Sequence, residues 1–238
     1  MAIAVAPSAV IYPTSDGQPM ADNTRQFRWI VTIQGGCDAL YRDRPDVFVA
    51  GDLLWYPVEG NPRIRRAPDT MIVFGRPKGD RGAYLQWEEE GITPQVVFEV
   101  LSPGNTVVEM ARKLTFYEQY GVEEYYIYDP DHGELAGWLR RDEKLGFIDQ
   151  MIGWRSPRLG VTFTLDAEGG LIITQPDGRS FLSYLELERE RVSARERAEA
   201  EAARAEAEAA RAEAEAARAA RLAARLRALG IDPETEGP

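Results

Sequence analysis

Two carboxylates stand at or within short apolar runs that have the character of buried strands. Asp69 directly precedes the run TMIVF, and Glu99 interrupts the run QVVFEVL at 95–101. A charged group in a strand covered on both faces carries a large desolvation cost unless a cation or hydrogen bonds compensate it. If the two strands are neighbours, both carboxylates can meet at one end of the sheet and form an all-oxygen site with room for water. Such a site suits Mg²⁺ or Mn²⁺ rather than zinc.

Each residue of this set also has an ordinary structural interpretation. Asp69 follows a proline, and for an isolated aspartate in that position a turn is the favoured interpretation. Lys113 lies on a predicted helix after Glu99, from which its ammonium could steer a water or stabilise a phosphate. A Glu109–Lys113 pair on a solvated helix face fits the same spacing equally well. Asp52 interrupts VFVAGDLLWY and could be a further ligand, although an edge-strand charge that discourages aggregation is the favoured interpretation.

The other candidates for chemistry favour structural roles. Tyr117 and Tyr120 lie on the predicted helix of Lys113, where a tyrosine is more often part of the core than catalytic. His132 is the only histidine, and it lies in the turn sequence DPDHGE. Mechanisms that need a Ser-His-Asp or Cys-His pair therefore have almost no support.

Short elements at the start of the chain must position Asp52 and Asp69. The cap sequence DNT at 22–24 precedes a helical pattern, which Gly35-Gly36 would weaken or end early. The apolar residues expected on the buried face of this helix are Phe27, Ile30 and Val31. The segment 46–56 predicts a strand that bends or bulges at its glycine. A short helix is expected around Tyr84 to Glu90.

The middle of the chain predicts two parallel strands joined by a helix. TMIVF and QVVFEVL are too short for core helices and rich enough in valine and isoleucine for central strands. Between Asn105 and Tyr120 apolar residues recur at helical spacing, and Gly121 stands where a C-cap glycine belongs. A right-handed crossover then makes the strands at 95–101 and 124–129 parallel neighbours. LAGWLR and LGFIDQM predict a hairpin and LIITQPDGRS a last strand, so the sheet is mixed and the domain is α/β.

The last quarter of the chain has a different composition. The heptad AEAEAAR occurs three times in succession from Ala198, which predicts a long helix. Its seam is mostly alanine until three leucines at a/d spacing, Leu222, Leu226 and Leu229. A solvated single helix and a weak coiled coil that joins copies into a homo-oligomer are equally compatible with this pattern. The expected divisions of the chain are an α/β domain at 1–182, the long helix at 183–230 and a disordered tail at 231–238.

Composition and charge limit the classes of function. The 238-residue chain has a formal charge of −11, which argues against a general polyanion binder because nucleic-acid affinity depends on lysine and arginine meeting phosphates. One basic stretch could supply a local contact: Arg63, Arg65, Arg66, Arg76, Lys78 and Arg81. Cys37 is the only cysteine, so an internal disulfide is excluded and the reducing cytoplasm is the expected location. The opening MAIAVAPSAVIY lacks a basic n-region, and a soluble protein is expected, with no membrane partner.

Two segments, APDTMIVFG and QVVFEVLSPGNTVVEMARKLTFYEQYGVEEYYIYDP, resemble the Uma-type restriction endonuclease family, a branch of the PD-(D/E)XK nucleases. In that family an E-V-L-S-P segment is followed by a helix with K-x-x-x-Y and then by G-V-x-E-Y-Y. The match runs from about Ile11 to Pro130, more loosely to Leu182, and leaves the charged tail outside. The resemblance implies a restriction endonuclease-like mixed central sheet flanked by helices. It also implies a metal-dependent endonuclease that hydrolyses phosphodiester bonds in DNA.

The same resemblance implies roles for individual residues. Asp69 would be the metal-binding aspartate, Glu99 the second carboxylate, and the carbonyl of Val100 a further ligand for Mg²⁺ or Mn²⁺. Lys113 would be the motif lysine, which helps to position or deprotonate the attacking water. Where the wider superfamily has a lysine two residues after the acid, this chain has Leu101, so the ammonium would come from the following helix.

One acidic contributor of many relatives is missing. These relatives carry a glutamate in an N-terminal E-L-x-D-G element, whereas IYPTSDGQP has Pro13 at the matching place. Asp52 lies on the strand before the PD element and would take that catalytic role. We therefore include Asp52 among the expected catalytic residues.

Two other functions are compatible with the sequence. A catalytically inactive binding or scaffold protein could keep the nuclease fold and oligomerise through its C-terminal helix, which the acidic charge and the long tail favour. A metal-dependent hydrolase could instead act on a small phosphorylated molecule. The joint presence of Asp69, Glu99 and Lys113 favours catalysis over the scaffold role.

Overall fold

In the computed structural model, which describes residues 10–230, a helix precedes each of two runs of five strands and a third helix follows them. The helices are α1 (Thr24–Leu40), α2 (Val107–Gln119) and α3 (Tyr184–Ala228). The strands are β1 (Val47–Ala50), β2 (Trp55–Tyr56), β3 (Thr70–Phe74), β4 (Tyr84–Leu85), β5 (Val96–Val100), β6 (Glu124–Asp129), β7 (Glu134–Arg141), β8 (Lys144–Phe147), β9 (Thr162–Leu165) and β10 (Leu171–Thr174). The expected disordered tail at 231–238 and most of the opening apolar run lie outside the described residues.

Six strands form the central sheet in the order β1-β3-β5-β6-β7-β8. The β5–β6 pair is parallel, and the other four pairs are antiparallel, so the sheet is mixed as predicted. Helix α2 connects β5 to β6, which confirms the predicted strand-helix-strand crossover. The predicted hairpin is β7 with β8, and β10 pairs with β9, a strand that the sequence pattern did not identify.

Alternate residues of β5 face two different cores. Val96, Phe98 and Val100 join the cluster that contains the buried face of α1 and the apolar side chains of β9 and β10. Val97 points to the other side and joins the cluster that contains Phe116 of α2. Because side chains alternate along a strand, Glu99 shares the α2 side with Val97. The polar end of the sheet therefore lies under α2.

Helix α1 begins at the expected cap but buries a different face. Asn23 accepts hydrogen bonds from the backbone N–H groups of Arg25 and Gln26. The buried stripe is Gln26, Ile30, Ile33 and Cys37, whereas Phe27 and Val31 are exposed, so two of the three predicted face residues were wrong. The helix also continues through Gly35-Gly36 to Leu40. Burial of its stripe against β1, β3 and β5 stabilises it enough to offset two glycines of low helix propensity.

Two loop predictions have opposite outcomes. The bend predicted within 46–56 is confirmed, because β1 ends at Ala50 and Asp52 has a φ of +49°. The short helix expected around Tyr84 to Glu90 is wrong. Tyr84 and Leu85 pair in parallel with Trp55 and Tyr56, and turns follow from Gln86.

The chain divides into two units, Met1–Ser183 and Tyr184–Pro238. In the second unit, none of the residues of α3 is buried. Its described ion pairs are local, such as Arg195 Nε to Glu199 Oε1 at 2.7 Å and Arg191 Nη1 to Glu188 Oε1 at 3.1 Å. Within residues 10–230, none of the helices is both long and apolar enough to cross a membrane.

Candidate active site

Asp69 and Glu99 occupy facing positions on two neighbouring strands. The antiparallel register of β3 and β5 pairs Thr70 with Phe98 and Met71 with Val97. Its continuation by one residue places Asp69 opposite Glu99. Residues directly opposite in an antiparallel pair point to the same face, so both carboxylates lie on the side of the sheet that α2 covers. The structure thus brings together the two acids that the sequence analysis singled out.

Glu99 is buried, and both of its oxygens have a partner on α2. The Lys113 ammonium donates to Oε2 at 2.9 Å, and the Tyr117 hydroxyl donates to Oε1 at 2.5 Å. The Glu99 side chain is only 1% exposed, so these two donors compensate the burial of its charge. Lys113 is farther from Glu109, at 3.8 Å, and the Glu109–Lys113 pair is therefore the secondary contact.

Asp69 and Val100 are connected by a hydrogen bond from the backbone. The Val100 N–H donates to Asp69 Oδ2 at 2.6 Å. The carbonyl of Val100 accepts from the Gln26 side-chain amide at 2.8 Å, and Gln26 Oε1 accepts from the Asp22 N–H at 2.8 Å. These contacts fix the end of β5 between β3 and α1. Val100 directly follows Glu99 in the chain, so it is in contact with one acid through its N–H and adjacent in sequence to the other.

Like charges and burial raise the pKa of two acids at this end of the sheet. Burial and the nearby Glu99 raise the pKa of Asp69 well above its ordinary range, against the lowering effect of the Val100 N–H and Lys113. Burial, Asp16 and Glu99 raise the pKa of Asp52. Both acids therefore hold a proton more readily than an exposed carboxylate does.

Lys113 and Tyr117 remain protonated donors in this environment. Burial by itself lowers the pKa of Lys113, yet that pKa is raised overall because the carboxylates of Glu99 and Asp69 stabilise the ammonium. Burial and Glu99 raise the pKa of Tyr117 well above its ordinary value, so the hydroxyl keeps its proton. In this arrangement Lys113 is suited to hold and stabilise negative charge.

A cleft of about 750 Å³ opens beside the acid pair. Its acidic lining residues are Asp16, Asp22, Asp52, Asp69 and Glu109. Its basic lining residues are Arg63, Arg65, Arg66, Arg112 and Lys113. Glu99 and Val100 do not line it, because both are buried. Three of the residues expected to be catalytic, Asp52, Asp69 and Lys113, therefore face the cleft, and the fourth lies in contact with Lys113.

A short polar loop sets the position of α2 relative to β5. The Ser102 N–H donates to Asn105 Oδ1 at 2.9 Å, and the Ser102 hydroxyl donates to Asp22 Oδ2 at 2.5 Å. Thr106 then caps α2 by accepting from the Glu109 N–H at 3.1 Å. Because Lys113 lies about two turns beyond this cap, the loop determines where its ammonium meets the sheet.

Sequence reasoning missed two residues that hold this site. Tyr117 stands four residues after Lys113, a spacing that places both on one helix face, so the signal was present but was interpreted as core packing. Gln26 stands three residues after the Asn23 cap, where a glutamine often stabilises a helix start. Its bond to Val100 joins residues 74 positions apart, and local sequence carries no signal for that contact.

Comparison with known proteins gives one family match. The model of the family described as "Uma2: Putative restriction endonuclease" matches residues 18–150, which is more than half of the chain. The chain belongs to the Uma2 family. The resemblance found in the sequence is thereby confirmed, and the Uma2 match contains Asp52, Asp69, Glu99 and Lys113. Helix α3 lies outside it.

Two further comparisons add little to the Uma2 assignment. A solved structure titled as a "putative nuclease belonging to DUF820" from Anabaena variabilis matches with 13% identity and a TM-score of 0.43. That alignment covers 60% of this chain and 79% of the other. A comparison with curated proteins finds no match.

Proposed function

We propose that this Uma2 protein is a metal-dependent endonuclease that hydrolyses phosphodiester bonds in DNA with Mg²⁺ or Mn²⁺. The observation that carries the proposal is the facing pair of Asp69 and Glu99, with the Lys113 ammonium 2.9 Å from Glu99. Two acids on one face of neighbouring strands, joined by a cation from the crossover helix, form a compact charged cluster beside an open cleft. A purely structural ion pair would need only one of the acids.

The donor atoms at this end of the sheet fit a hard divalent ion. Asp69 Oδ2 accepts from Val100, and within the described residues its Oδ1 has no hydrogen bond. The carbonyl of Val100 accepts one hydrogen bond and keeps a second lone pair. Among residues 10–230 no group of three or more histidine, cysteine, aspartate or glutamate side chains could hold a metal ion. Two carboxylates and one carbonyl would therefore hold Mg²⁺ together with water or substrate oxygens, as this ion prefers.

A bound divalent ion would polarise a phosphoryl oxygen and lower the pKa of a water. The chain's own residues would supply the remaining functions. Tyr117 keeps Glu99 oriented through Oε1, so that Oε2 is the oxygen that can exchange its partner. Lys113, which stays positively charged, can leave Glu99 and donate to a phosphate oxygen or a water at the cleft. Its raised pKa favours this positioning role over a role as general base.

Cleavage of supercoiled plasmid DNA tests the proposal. The wild-type protein should nick or linearise the plasmid with Mg²⁺ or Mn²⁺ and not with EDTA. Glu99→Gln should lose roughly a hundredfold or more in rate, since it removes a charged ligand but keeps the side-chain shape. A matched control is Glu59→Gln, which alters an exposed acid outside the cleft lining. Absence of metal-dependent cleavage, or cleavage unchanged in Glu99→Gln, would reject the proposal. Hydrolysis of mononucleotides without cleavage of plasmid would assign a small phosphorylated substrate instead.

A second candidate function follows from the hydrogen bonds that Glu99 already makes. Both of its oxygens are satisfied by side chains of α2, so the ion pair is complete without a metal. This observation favours an inactive protein of nuclease fold that binds partners and forms a homo-oligomer through α3. Calorimetric titration with Mn²⁺ separates the two functions. The nuclease should bind the ion with an affinity that Asp69→Asn abolishes, whereas the scaffold should show no such binding.

A further inference from the structure

Four arginines form a positively charged ridge between two openings of the first unit. This arginine ridge consists of Arg63, Arg65, Arg66 and Arg112. All four line the cleft of about 750 Å³ at the acid pair, and all four also line a second groove of about 730 Å³ between the 63–66 segment and α2. The ridge is therefore the shared border of the two openings.

Aromatic rings and carbonyls hold two of these guanidinium groups in place. Arg66 lies over the ring of Phe116 at 5.3 Å and donates to the carbonyl of Arg65 at 3.0 Å. Arg65 lies over the ring of Tyr56 at 6.0 Å and donates to the carbonyl of Pro62 at 2.9 Å. The backbone of Arg66 is fixed by two hydrogen bonds with Trp55. The positions of both groups are thus set by the fold before any ligand binds.

The ridge differs from the rest of the basic stretch in its charge balance. Arg76 and Arg81 both pair with Glu89, and Lys78 pairs with Asp38. By contrast, none of the four ridge arginines forms a salt bridge with a carboxylate of residues 10–230. The ridge arginines therefore keep guanidinium donors that no carboxylate of the described residues occupies, and these donors are available to a ligand. Guanidinium groups bind phosphate oxygens with planar, paired donors.

The second groove suits an extended ligand. Its lining includes Val107 and Val108 at the start of α2, whose exposed fractions are 88% and 60%. Apolar side chains next to unpaired arginines fit a chain that carries phosphates on one side and sugars or bases on the other. A free phosphate would occupy one or two guanidinium groups and would leave the valines in water.

We propose that the arginine ridge binds the phosphodiester backbone of a nucleic-acid strand that passes from the Asp69 end of the cleft into the second groove. The path of this nucleic-acid strand rests on the proposed function, which places the cleaved phosphodiester at the Asp69 end of the cleft. It adds the residues that would overcome the repulsion between the acidic cleft wall and a polyanion. It also divides the basic stretch at 63–81 into a ligand-binding half and a half that only forms internal ion pairs.

Fluorescence anisotropy with labelled oligonucleotides tests this inference without cleavage. Full-length wild type, Arg66→Gln, Arg112→Gln and the double variant are titrated onto duplex and single-stranded DNA in Ca²⁺ at several salt concentrations. We expect the double variant to bind roughly tenfold or more weakly, with a salt slope reduced by about one for each arginine removed. Lys78→Gln is the matched control, since it removes one positive charge from the same stretch but not from the ridge. Its affinity should stay within about twofold of wild type.

Three results of the binding experiment would overturn the inference. They are absence of oligonucleotide binding by the wild type, an equal loss in Lys78→Gln, and complete displacement of the oligonucleotide by inorganic phosphate at concentrations that leave ionic strength unchanged. Circular dichroism of each variant distinguishes lost contacts from lost folding. A protein that binds through the ridge but does not cut plasmid would reject the proposed nuclease function and retain this inference. If the double variant cuts plasmid as well as the wild type does, the nuclease function is retained and the inference on the arginine ridge is rejected.

Discussion

The Tyr117 hydroxyl lies 2.5 Å from Glu99 Oε1, and both residues are buried on the same side of the central sheet. The neighbouring Tyr125 has its ring centroid 4.9 Å from that of Tyr117, yet its hydroxyl has no hydrogen-bond partner among the described residues. The two tyrosines belong to one apolar cluster, but of the two only Tyr117 has a hydrogen-bond partner for its hydroxyl. Only Tyr117 contacts the candidate site.

Tyr117→Phe should therefore damage both stability and metal response. The substitution leaves Glu99 Oε1 buried without its donor, which costs about 1–3 kcal/mol of unfolding free energy. Under the proposed function it should also raise the Mn²⁺ concentration needed for half-maximal cleavage several-fold, because Glu99 loses its orientation. Urea unfolding and a metal titration of plasmid cleavage measure the two effects. Tyr125→Phe is the control, and it should be neutral or slightly stabilising. Equal behaviour of the two variants would contradict the assigned role of Tyr117.

Removal of the Lys113 ammonium should destabilise the protein in a way that depends on Glu99. Lys113→Met leaves a buried carboxylate with one remaining donor, and breaking such a pair costs about 3–5 kcal/mol. In the double variant Glu99→Gln/Lys113→Met the cost should be smaller, since the Glu99 charge that Lys113 compensates is also removed. Urea unfolding of the four proteins in EDTA gives the coupling energy directly. Additive effects would show that the ion pair does not stabilise the fold.

Much of the candidate site could be predicted because its parts have local signals. Asp69 and Glu99 stand at the end of and within apolar runs, and the strand-helix-strand pattern around Lys113 is specified by residues close in sequence. The register that places the two acids face to face follows from strand alternation once β3 and β5 are known to pair.

Other features had no local signal because they depend on distant packing. The buried face of α1 is rotated from the predicted one, since the sheet selects Gln26, Ile30 and Ile33 rather than the more apolar Phe27. Tyr84 and Leu85 pair with β2 from 29 residues away instead of forming the expected turn of helix. In both cases tertiary contacts determined the outcome where local preference was weak.

The position of Gly36 in α1 has no room for a side chain, because Phe181 packs against it. A Cβ built on Gly36 would collide with the Phe181 ring, whereas one on Gly35 would have no heavy atom within 4 Å. Gly36→Ala should therefore destabilise by about 1–3 kcal/mol through overpacking. Gly35→Ala should stabilise by about 0.5–1 kcal/mol through helix propensity. Thermal unfolding of the two variants measures both changes in stability. A stabilising Gly36→Ala would show that Phe181 moves away without cost.

The buried Glu124 should make stability fall as pH rises. It accepts from the Ser156 hydroxyl, from the Tyr126 hydroxyl at 2.9 Å and from the Arg158 N–H at 2.6 Å. Burial nevertheless raises its pKa above the ordinary 4.5, so the folded state binds the proton more tightly than the unfolded state. The contribution of Glu124 to the unfolding free energy is fully present below pH 4.5 and is lost as pH rises through the pKa of the folded state.

Glu124→Gln isolates this contribution. The variant has no proton to lose at this position, so its unfolding free energy should fall less steeply than that of wild type above pH 4.5. The difference should change by about 1.4 kcal/mol for each unit by which the pKa is raised. Urea unfolding at a series of pH values measures it, and Glu123→Gln, which alters the neighbouring partner of Arg158, is the control. Parallel curves for wild type and Glu124→Gln would contradict the raised pKa.

Helix α3 should bring copies of the chain together through its last turns. Leu222 and Leu226 lie near the end of α3, and Leu229 directly follows its last residue. All three are exposed and are separated by four and three residues, the spacing of a coiled-coil seam. Light scattering should therefore give the full chain at least twice the monomer mass, and a chain ending at Ser183 the monomer mass. Leu222→Glu/Leu226→Glu in the full chain should also be monomeric, because charges in the seam oppose association. Ala209→Glu/Ala216→Glu adds the same two charges nearer the middle of α3 and should retain the larger mass. A full chain of monomer mass would leave α3 as a solvated single helix.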